Sequence, residues 1–234
     1  MVQVLAIFLA CWVILVVLSR VLTDNPRGDV FTGILYHGCR LYCRFFQRAS
    51  ATGVENIPDD KRPGALIVLA NHTAGVDPFL VQTFTKFEAR WMMCADMMLP
   101  SFAPIWEHLR IIPVKRDGKD TSSAREALKH LKDGGVLGVF PEGGLENPPG
   151  VLRPFLPGVG LIIARSGAPV LPVFIEGTPV TKSPYGSLFV PGRARLTFGP
   201  LMRFDGMSSE EITTKLESWF AQTSGWPKRD ERLW

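Results

Sequence analysis

The sequence of 234 residues lacks several patterns that would place it in a familiar functional class. It contains no Gly-x-Ser-x-Gly elbow, which disfavours a lipase-like hydrolase, and no His-Glu-x-x-His pair, which disfavours a zinc peptidase. Its four cysteines include no Cys-x-x-Cys pair. Cys39 and Cys43 lie near His37, but a structural zinc site needs four well-placed ligands. Packing on one helix face, with no metal, is therefore the better interpretation.

The sequence also has little net charge, +4 at pH 7, with 21% charged and 46% hydrophobic residues. Such a composition excludes a disordered chain. The positive charge is too small to indicate nucleic-acid binding, although it fits attraction to anionic lipid or to an anionic substrate. The sequence contains no evident internal repeat and no low-complexity segment. We therefore expect one domain with a sizeable core, alone or joined to a membrane anchor.

The N-terminal residues 2–18 are apolar apart from Gln3. As a helix they would be roughly 26 Å long, close to the ~30 Å of a hydrocarbon core, and Arg20 could snorkel to the interface. No basic residue precedes the run and no small-x-small site follows it, which argues against a cleaved signal peptide. Arginines follow the run, so the positive-inside rule places the remainder in the cytoplasm. We predict that residues 1–22 are a membrane anchor helix, either spanning the bilayer or hairpinned into one leaflet.

Residues 23–50 are predicted to form a basic amphipathic segment at the membrane interface. On a helical wheel its basic side chains fall within one arc of about 80°, opposite the apolar and aromatic side chains. Such a helix suits the surface of an anionic membrane. The alternative is a helix whose apolar face packs on the domain and whose arginines are merely solvated. The basic set is His37, Arg40, Arg44 and Arg48, and the opposite set is Phe31, Ile34, Leu35, Gly38, Leu41, Tyr42, Phe45 and Phe46.

His72 and Asp77 follow the apolar run at residues 64–70, which is predicted to be a short buried strand. Five residues turn roughly 500° on a helix, so these side chains would point about 140° apart and can meet only across a turn. Gly75 supplies the conformational freedom that such a turn needs. Asp77 before Pro78 is also typical of an N-cap followed by a first-turn proline. We expect a His-Asp general-base pair at the mouth of a parallel sheet.

Strand-like runs alternate with helical patterns through residues 51–234, which we assign to one α/β domain with a mostly parallel central sheet flanked by helices. His72, Arg116 and Glu142 each follow an apolar run. Because sites in open α/β sheets form beyond the carboxyl ends of the strands, we expect these three residues to meet at one edge. Two capping boxes predict helix starts, one at Ser123 with Glu126 and one at Ser208 with Glu211.

Four short blocks resemble, in chain order, those of the glycerolipid acyltransferases, the 1-acylglycerol-3-phosphate O-acyltransferase group and its relatives. They are NHTAGVD at residues 71–77, the Lys115-Arg116 pair, FPEGG at 140–144 and APVLPV at 168–173. The resemblance implies a membrane-bound enzyme of phospholipid biosynthesis that moves an acyl chain from acyl-CoA or acyl-carrier protein to a lysolipid. It implies no cofactor beyond that co-substrate, and its partners would be membrane lipid, the acyl donor and the lysolipid acceptor rather than nucleic acid.

The chemistry of such a transfer suits the histidine and aspartate of the first block. An alcohol that attacks a thioester must lose its proton, and an imidazole with an ordinary pKa near ~6.5 can take it at neutral pH. His72 is therefore the candidate general base. Asp77 would hold its tautomer and stabilise its protonated form. No serine or cysteine nucleophile is required, because the acceptor hydroxyl can attack directly.

The resemblance implies that Arg116 and Glu142 bind the acceptor. A guanidinium can grip a phosphate through two parallel hydrogen bonds, and a carboxylate can hold a polyol hydroxyl. Gly143 would let the backbone approach the ligand, and Lys115 would add a second cation. We place these four residues in the substrate-binding part of the site.

The third block departs from the family pattern. The family usually continues Glu-Gly-Thr-Arg, whereas Gly144 and Leu145 stand here, and Leu156 stands near a position where a lysine is common. Arg153 or Lys115 would have to supply the missing charge. We expect 1-acylglycerol-3-phosphate as the acceptor, with a different lysolipid, such as a lyso-aminolipid, as the alternative. A non-catalytic membrane lipid-binding protein is the third hypothesis.

Overall fold

The computed structural model describes residues 1–115, 121–145 and 150–229. At its centre is a seven-stranded sheet in the order β1-β7-β6-β2-β5-β3-β4. β6 and β7 pair antiparallel, and the other described pairs are parallel, as the α/β prediction requires. The strands are β1 (Ser50–Thr52), β2 (Leu66–Ala70), β3 (Ala89–Cys94), β4 (Ile112–Val114), β5 (Val136–Val139), β6 (Val170–Glu176) and β7 (Arg195–Phe198).

Helices cover both faces of the sheet. One face carries a core that includes side chains of α2 and α3, and the other a core that includes side chains of α5, α6 and α7. β2 lies between β6 and β5, and its five residues are buried because their side chains alternate between the two cores. The helices are α1 (Val2–Thr23), α2 (Val30–Phe45), α3 (Asp77–Phe84), α4 (Ala103–His108), α5 (Thr121–Lys132), α6 (Pro157–Ser166) and α7 (Ser209–Ser224).

The two capping boxes have different outcomes. Ser208 accepts a hydrogen bond from the Glu211 amide and Glu211 bonds back to Ser208, so the predicted start of α7 is confirmed. The prediction at Ser123 is wrong, because Ser123 lies inside α5 with its side chain buried. Glu126, its expected partner, instead forms an ion pair with Arg90. Packing of the first turn of α5 against the sheet therefore overrides the local capping pattern.

α1 is the predicted apolar N-terminal helix, and it continues past residue 18 to Thr23. By length and composition it could cross a membrane, and no residue of α1, all of which the structure describes, is buried. Its last turn packs beside α2, where a Cβ at Gly33 would overlap the carbonyl group of Leu22. The lack of a side chain at Gly33 therefore allows the two helices to approach each other this closely.

α2 packs on the domain through a face that neither sequence hypothesis anticipated. The buried face holds Thr32, Gly33, Tyr36 and Cys43. Cys39 contacts the Phe79 carbonyl of α3, which agrees with the packing interpretation of this cysteine. A hydrogen bond to Cys43 and burial raise the pKa of the Cys39 thiol. The predicted apolar face stays exposed to solvent, notably at Phe31, Ile34, Leu35, Leu41 and Phe45.

A tight elbow joins α1 to α2 and fixes both to the domain. Asn25 is buried; its amide donates to the carbonyl groups of Leu22 and Asp29, and its carbonyl oxygen accepts from the amides of Arg27 and Gly28. The Arg27 guanidinium forms an ion pair with Glu88 and donates to the His108 carbonyl. The direction in which α1 leaves the domain is therefore held by hydrogen bonds.

Candidate active site

His72 and Asp77 meet across the turn between β2 and α3, as their spacing predicts. His72 Nδ1 lies 2.9 Å from Asp77 Oδ2. The Asp77 carboxylate also accepts the backbone amides of Thr73, at 2.7 Å, and Ala74, at 2.8 Å. The prediction that Asp77 caps α3 is wrong in detail: Val76 is the N-cap, and Asp77 is the first helical residue. Its side chain folds back onto the turn instead.

Gly75 is needed in this turn for a reason other than the predicted one. Its backbone is not among the glycines with positive φ, so the turn does not depend on a left-handed residue there. A Cβ at Gly75 would instead overlap the carbonyl oxygen of Pro184, in a 3₁₀ helix (Pro184–Phe189) that lies against the turn. Close backbone approach, and not conformational freedom, requires the glycine.

The burial of the pair is unequal. The Asp77 side chain is fully buried, whereas the His72 side chain is 19% exposed. An ionised carboxylate only accepts hydrogen bonds, so Nδ1 of His72 carries the proton that faces Asp77. In the neutral ring, Nε2 is then left as a proton acceptor. This arrangement can accept a proton from an alcohol at Nε2 while Asp77 steadies the ring at Nδ1.

Two aromatic rings support the His72 imidazole from one side. Phe140 stacks on His72 with the ring centroids 3.9 Å apart and the planes at 12°. Trp91 stacks in turn on Phe140, at 4.7 Å and 17°. A Cβ at Gly138 would overlap the Trp91 indole, so the glycine in β5 makes room for the stack. Sequence reasoning missed both aromatic residues, although Phe140 stands directly before the predicted Glu142 turn.

Glu142 and Gly143 lie on the turn that follows β5, the neighbour of β2. The pairing of Leu69 with Val139 aligns the ends of the two strands, so both turns start side by side. Glu142 is buried, and Gly143 adopts a positive φ of 73°. The Gly143 carbonyl also contacts the Cys94 thiol at the end of β3. His72 and Glu142 are therefore brought to the same edge, as predicted.

Of the two predicted cationic residues, Lys115 is among the described residues and lies farther along this edge. Lys115 is exposed and directly follows β4, which is three strands away from β2. At a strand spacing of about 4.8 Å, this separation is roughly 14 Å. Arg116 lies outside the described residues. Lys115 therefore lies at the end of β4 and does not adjoin His72, and its role in binding stays a prediction.

The residues that depart from the family pattern also have defined positions. The Leu156 amide donates to the Pro141 carbonyl, and its side chain packs against the core that carries α6 and α7. Leu145 is half-buried after the Glu142 turn, and Arg153 is buried. Leu156 therefore serves the fold.

With this geometry established, the chain can be compared with known proteins. A family described as Acyltransferase matches residues 48–176, more than half of the 234 residues. The chain belongs to the acyltransferase family. The match includes His72, Asp77, Glu142 and the whole of β2, β5 and β6. It confirms the family resemblance derived from the four sequence blocks.

A solved structure has the same fold. The crystal structure of the 1-acyl-sn-glycerophosphate (LPA) acyltransferase PlsC from Thermotoga maritima superposes with a TM-score of 0.70 and 26% sequence identity. The match covers 86% of this chain and 80% of that protein. It confirms the fold prediction: a mostly parallel sheet flanked by helices, preceded by an apolar N-terminal helix.

Curated relatives include two kinds of acyltransferase. The chain is 26% identical over 137 residues to the chloroplastic 1-acyl-sn-glycerol-3-phosphate acyltransferase BAT2 of Brassica napus, covering 57% of this chain and 38% of the relative. It is 31% identical over 138 residues to the N-acylphosphatidylethanolamine synthase of Arabidopsis thaliana, covering 54% and 48%. The chain thus spans less than half the length of these curated relatives.

Proposed function

We propose that the protein transfers an acyl chain from acyl-CoA or acyl-carrier protein to the hydroxyl of a lysophospholipid, with 1-acylglycerol-3-phosphate as the first candidate. The observation that carries this proposal is the hydrogen-bonded pair of His72 and buried Asp77 at the end of the central strand. Membership of the acyltransferase family and similarity to 1-acylglycerol-3-phosphate acyltransferases support the reaction class.

In the proposed mechanism, His72 Nε2 takes the proton of the acceptor hydroxyl as its oxygen attacks the thioester carbonyl. A carbon–oxygen bond forms, and the carbon–sulfur bond of the tetrahedral intermediate then breaks. The thiolate leaving group recovers the proton from the imidazolium. The buried Asp77 carboxylate stabilises that imidazolium between the two steps. No covalent acyl-enzyme is formed, because the acceptor itself is the nucleophile.

The acceptor would bind along the edge that runs from His72 towards β4. Glu142 lies one strand away from the base and would hold a glycerol hydroxyl, with the Gly143 turn beside it. Lys115 stands roughly 14 Å away by strand spacing, and Arg116 follows it in the chain. We propose that this cationic end receives the phosphate, since a guanidinium binds phosphate through two hydrogen bonds.

We propose that the N-terminal helices bring this edge to a lipid bilayer. α1 is apolar on all sides, and α2 presents exposed apolar side chains, Phe31, Ile34 and Phe45 among them, opposite the side that packs on α3. Phe189 is also exposed, and the preceding Leu188 carbonyl accepts a hydrogen bond from Tyr42 of α2. Several arginines follow α1, which favours a catalytic domain on the cytoplasmic side.

A lysolipid with an amine-bearing headgroup is the second candidate acceptor. Leu145 and Leu156 occupy positions where the family often has cations. The Leu156 side chain packs against the hydrophobic core. Fewer cations near the acceptor suit a headgroup with less phosphate charge. The similarity to an N-acylphosphatidylethanolamine synthase favours the same alternative.

An acceptor screen tests these proposals. The purified protein in detergent is given a labelled acyl chain on CoA or on acyl-carrier protein, together with 1-acylglycerol-3-phosphate, lysophosphatidylethanolamine or lysophosphatidylcholine. The acylated products are identified by mass spectrometry. We expect product and thiol release to be highest with 1-acylglycerol-3-phosphate. A preference for the amine headgroup would select the second candidate. Stoichiometric lipid binding without thiol release, from acyl-CoA or acyl-carrier protein, would contradict acyl transfer altogether.

A further inference from the structure

A chain of two hydroxyl groups ends on the oxygen of the Asp77 carboxylate that does not contact His72. Thr178 Oγ1 donates to Thr73 Oγ1 over 2.7 Å, and Thr73 Oγ1 donates to Asp77 Oδ1 over 3.0 Å. The other carboxylate oxygen, Oδ2, receives His72 Nδ1 and the two backbone amides of the turn. Each oxygen of the buried carboxylate therefore has its own partners.

The direction of these hydrogen bonds follows from the chemistry of the carboxylate. An ionised Asp77 can only accept, so the Thr73 hydroxyl must donate its single proton to Oδ1. The Thr73 oxygen is then free to accept, and Thr178 must supply that proton. Thr178 thus determines where the Thr73 hydroxyl points, although it does not touch Asp77.

The fold holds Thr178 in register with the catalytic turn. The Asn71 side chain, which directly precedes His72, forms two hydrogen bonds with the backbone of Ile175 in β6, at 2.9 and 2.7 Å. Gly177, between β6 and Thr178, has a φ of 73°, and a Cβ there would overlap the Arg193 carbonyl. The segment after β6 is therefore tied to the end of β2, and Thr178 is placed beside Thr73.

We propose that Thr178 is a positioning residue for the general-base pair. Its hydroxyl orients Thr73, which holds Oδ1 of Asp77 and so keeps Oδ2 aimed at His72 Nδ1. This proposal rests on the proposed function, because it assigns the hydroxyl chain a purpose in proton transfer. Without the Thr178 hydroxyl, the Thr73 hydroxyl is oriented less firmly, its hydrogen bond to Oδ1 weakens and the carboxylate rotates more freely, so the base is held less often in its reactive orientation.

The test compares Thr178→Val, which keeps the shape of the side chain and removes the hydroxyl, with Thr178→Ser, which keeps the hydroxyl. We expect Thr178→Val to lower kcat by about three- to tenfold, as for the loss of one hydrogen bond, with the acceptor KM unchanged. Without the Thr178 hydroxyl, the Thr73 hydroxyl is a weaker and less well-oriented donor to Oδ1, so Asp77 keeps more negative charge to stabilise the imidazolium and the acidic limb of the kcat profile should move to higher pH. Thr178→Ser should stay within about twofold of the wild type.

Thr181→Val is the matched control, because Thr181 lies in the same segment but donates to the Ser183 carbonyl instead. It should leave kcat and the pH profile unchanged. A Thr178→Val variant with wild-type kcat and pH profile would overturn the proposal. An equal loss in Thr178→Ser would assign the effect to packing of the methyl group, and a change in KM alone would assign it to substrate binding.

A spectroscopic readout separates failure of this proposal from failure of the proposed function. The proton on His72 Nδ1 should give a downfield NMR signal that shifts in Thr178→Val and not in Thr181→Val, whatever the substrate. If His72→Ala retains acyl transfer, the proposed mechanism fails. If His72→Ala is inactive while Thr178→Val changes neither the signal nor kcat, only the positioning role fails.

Discussion

The turn around His72 and the N-terminal helices both reverse the usual relation between polarity and burial. In the turn, the carboxylate of Asp77 is fully buried and receives four hydrogen bonds. In α1 and α2, large apolar side chains such as Phe31 and Phe45 are 60% and 74% exposed. A buried charge is costly unless it is hydrogen-bonded, and an exposed apolar patch is costly unless something covers it.

The difference between the regions indicates what each requires from outside the chain. The turn supplies every partner of Asp77 itself, and the exposed edge of His72 is where a substrate is expected. On their packed sides the helices contact the rest of the domain. On their outer sides the apolar side chains lack contacts, which a lipid bilayer would provide. Under the proposed function, the first region carries out the chemistry and the second contacts the bilayer that holds the substrate.

The largest expected effect follows from removing the charge in the buried turn. Asp77→Asn keeps the shape of the side chain but presents an amide where three donors converge on Oδ2. We expect kcat to fall by about 10²–10⁴-fold, because the imidazolium loses its counter-charge and the tautomer is no longer fixed. Steady-state kinetics measure the change, with exposed Asp205→Asn as the control. Normal turnover of a folded Asp77→Asn variant would remove Asp77 from the mechanism.

The second effect concerns the exposed helix face. Replacing Phe31, Ile34 and Phe45 by serine should raise the apparent KM for a lysolipid presented in vesicles by about tenfold, because their burial in the interface is lost. The kcat for a short-chain lysolipid in dilute detergent should not change. A triple serine variant at Val54, Leu161 and Leu201, which are also exposed, is the matched control. Equal effects of the two variants would contradict a specific membrane face.

A smaller effect is expected from the aromatic support of His72. Phe140→Leu keeps an apolar side chain but removes the stacked ring, and aromatic pairs of this kind are worth roughly 0.5–1.5 kcal/mol beyond their area. We expect kcat to fall by about two- to tenfold, with little change in melting temperature. Phe84→Leu is the control, since Phe84 pairs with Phe198 and not with the imidazole. A larger loss of kcat in Phe84→Leu than in Phe140→Leu would show that the stack of Phe140 on His72 has a structural role and no catalytic one.

The smallest effect tests the joint between the two regions. Arg27→Met removes an ion pair whose side chains are 17% and 30% exposed and should cost about 1–3 kcal/mol of stability. Lys86→Met removes a pair with Asp59 whose side chains are 57% and 80% exposed, and it should cost much less stability because solvent screens the pair. Thermal melting should show a loss of about 2–4 °C per kcal/mol, larger for Arg27. A larger loss for Lys86→Met would show that the elbow is not held by Arg27.

Much of the fold was predictable, because long apolar runs determine buried strands with little ambiguity. β1 was not predicted: it is three residues long and has no periodic pattern of its own. The packed face of α2 was also missed, since the helix approaches α1 through small Gly33 and not through its most hydrophobic side. Hydrophobicity alone does not reveal where two backbones come close together.

The candidate site was predictable where its residues are close in sequence. The spacing of His72 and Asp77 was enough to infer that they meet across a turn, and the strand ends placed Glu142 at the same edge. Phe140, which contacts His72, and Thr178, which contacts Thr73, follow β5 and β6. They are far from His72 along the chain, so no local sequence pattern indicates these contacts. The roles assigned to these residues, and to Lys115 and Arg116, stay predictions.

The central claim is that His72 deprotonates the acceptor hydroxyl, and acceptor-dependent thiol release tests it most directly. Thiol release from acyl-CoA is followed with and without lysolipid for the wild type, His72→Ala and His130→Ala; His130 lies at the opposite edge of the sheet, beside the start of β5. We expect release by the wild type and by His130→Ala to require the lysolipid and to match the acylated product. His72→Ala should be slower by at least ~10²-fold. A folded His72→Ala variant with near-normal, acceptor-dependent release would contradict the claim.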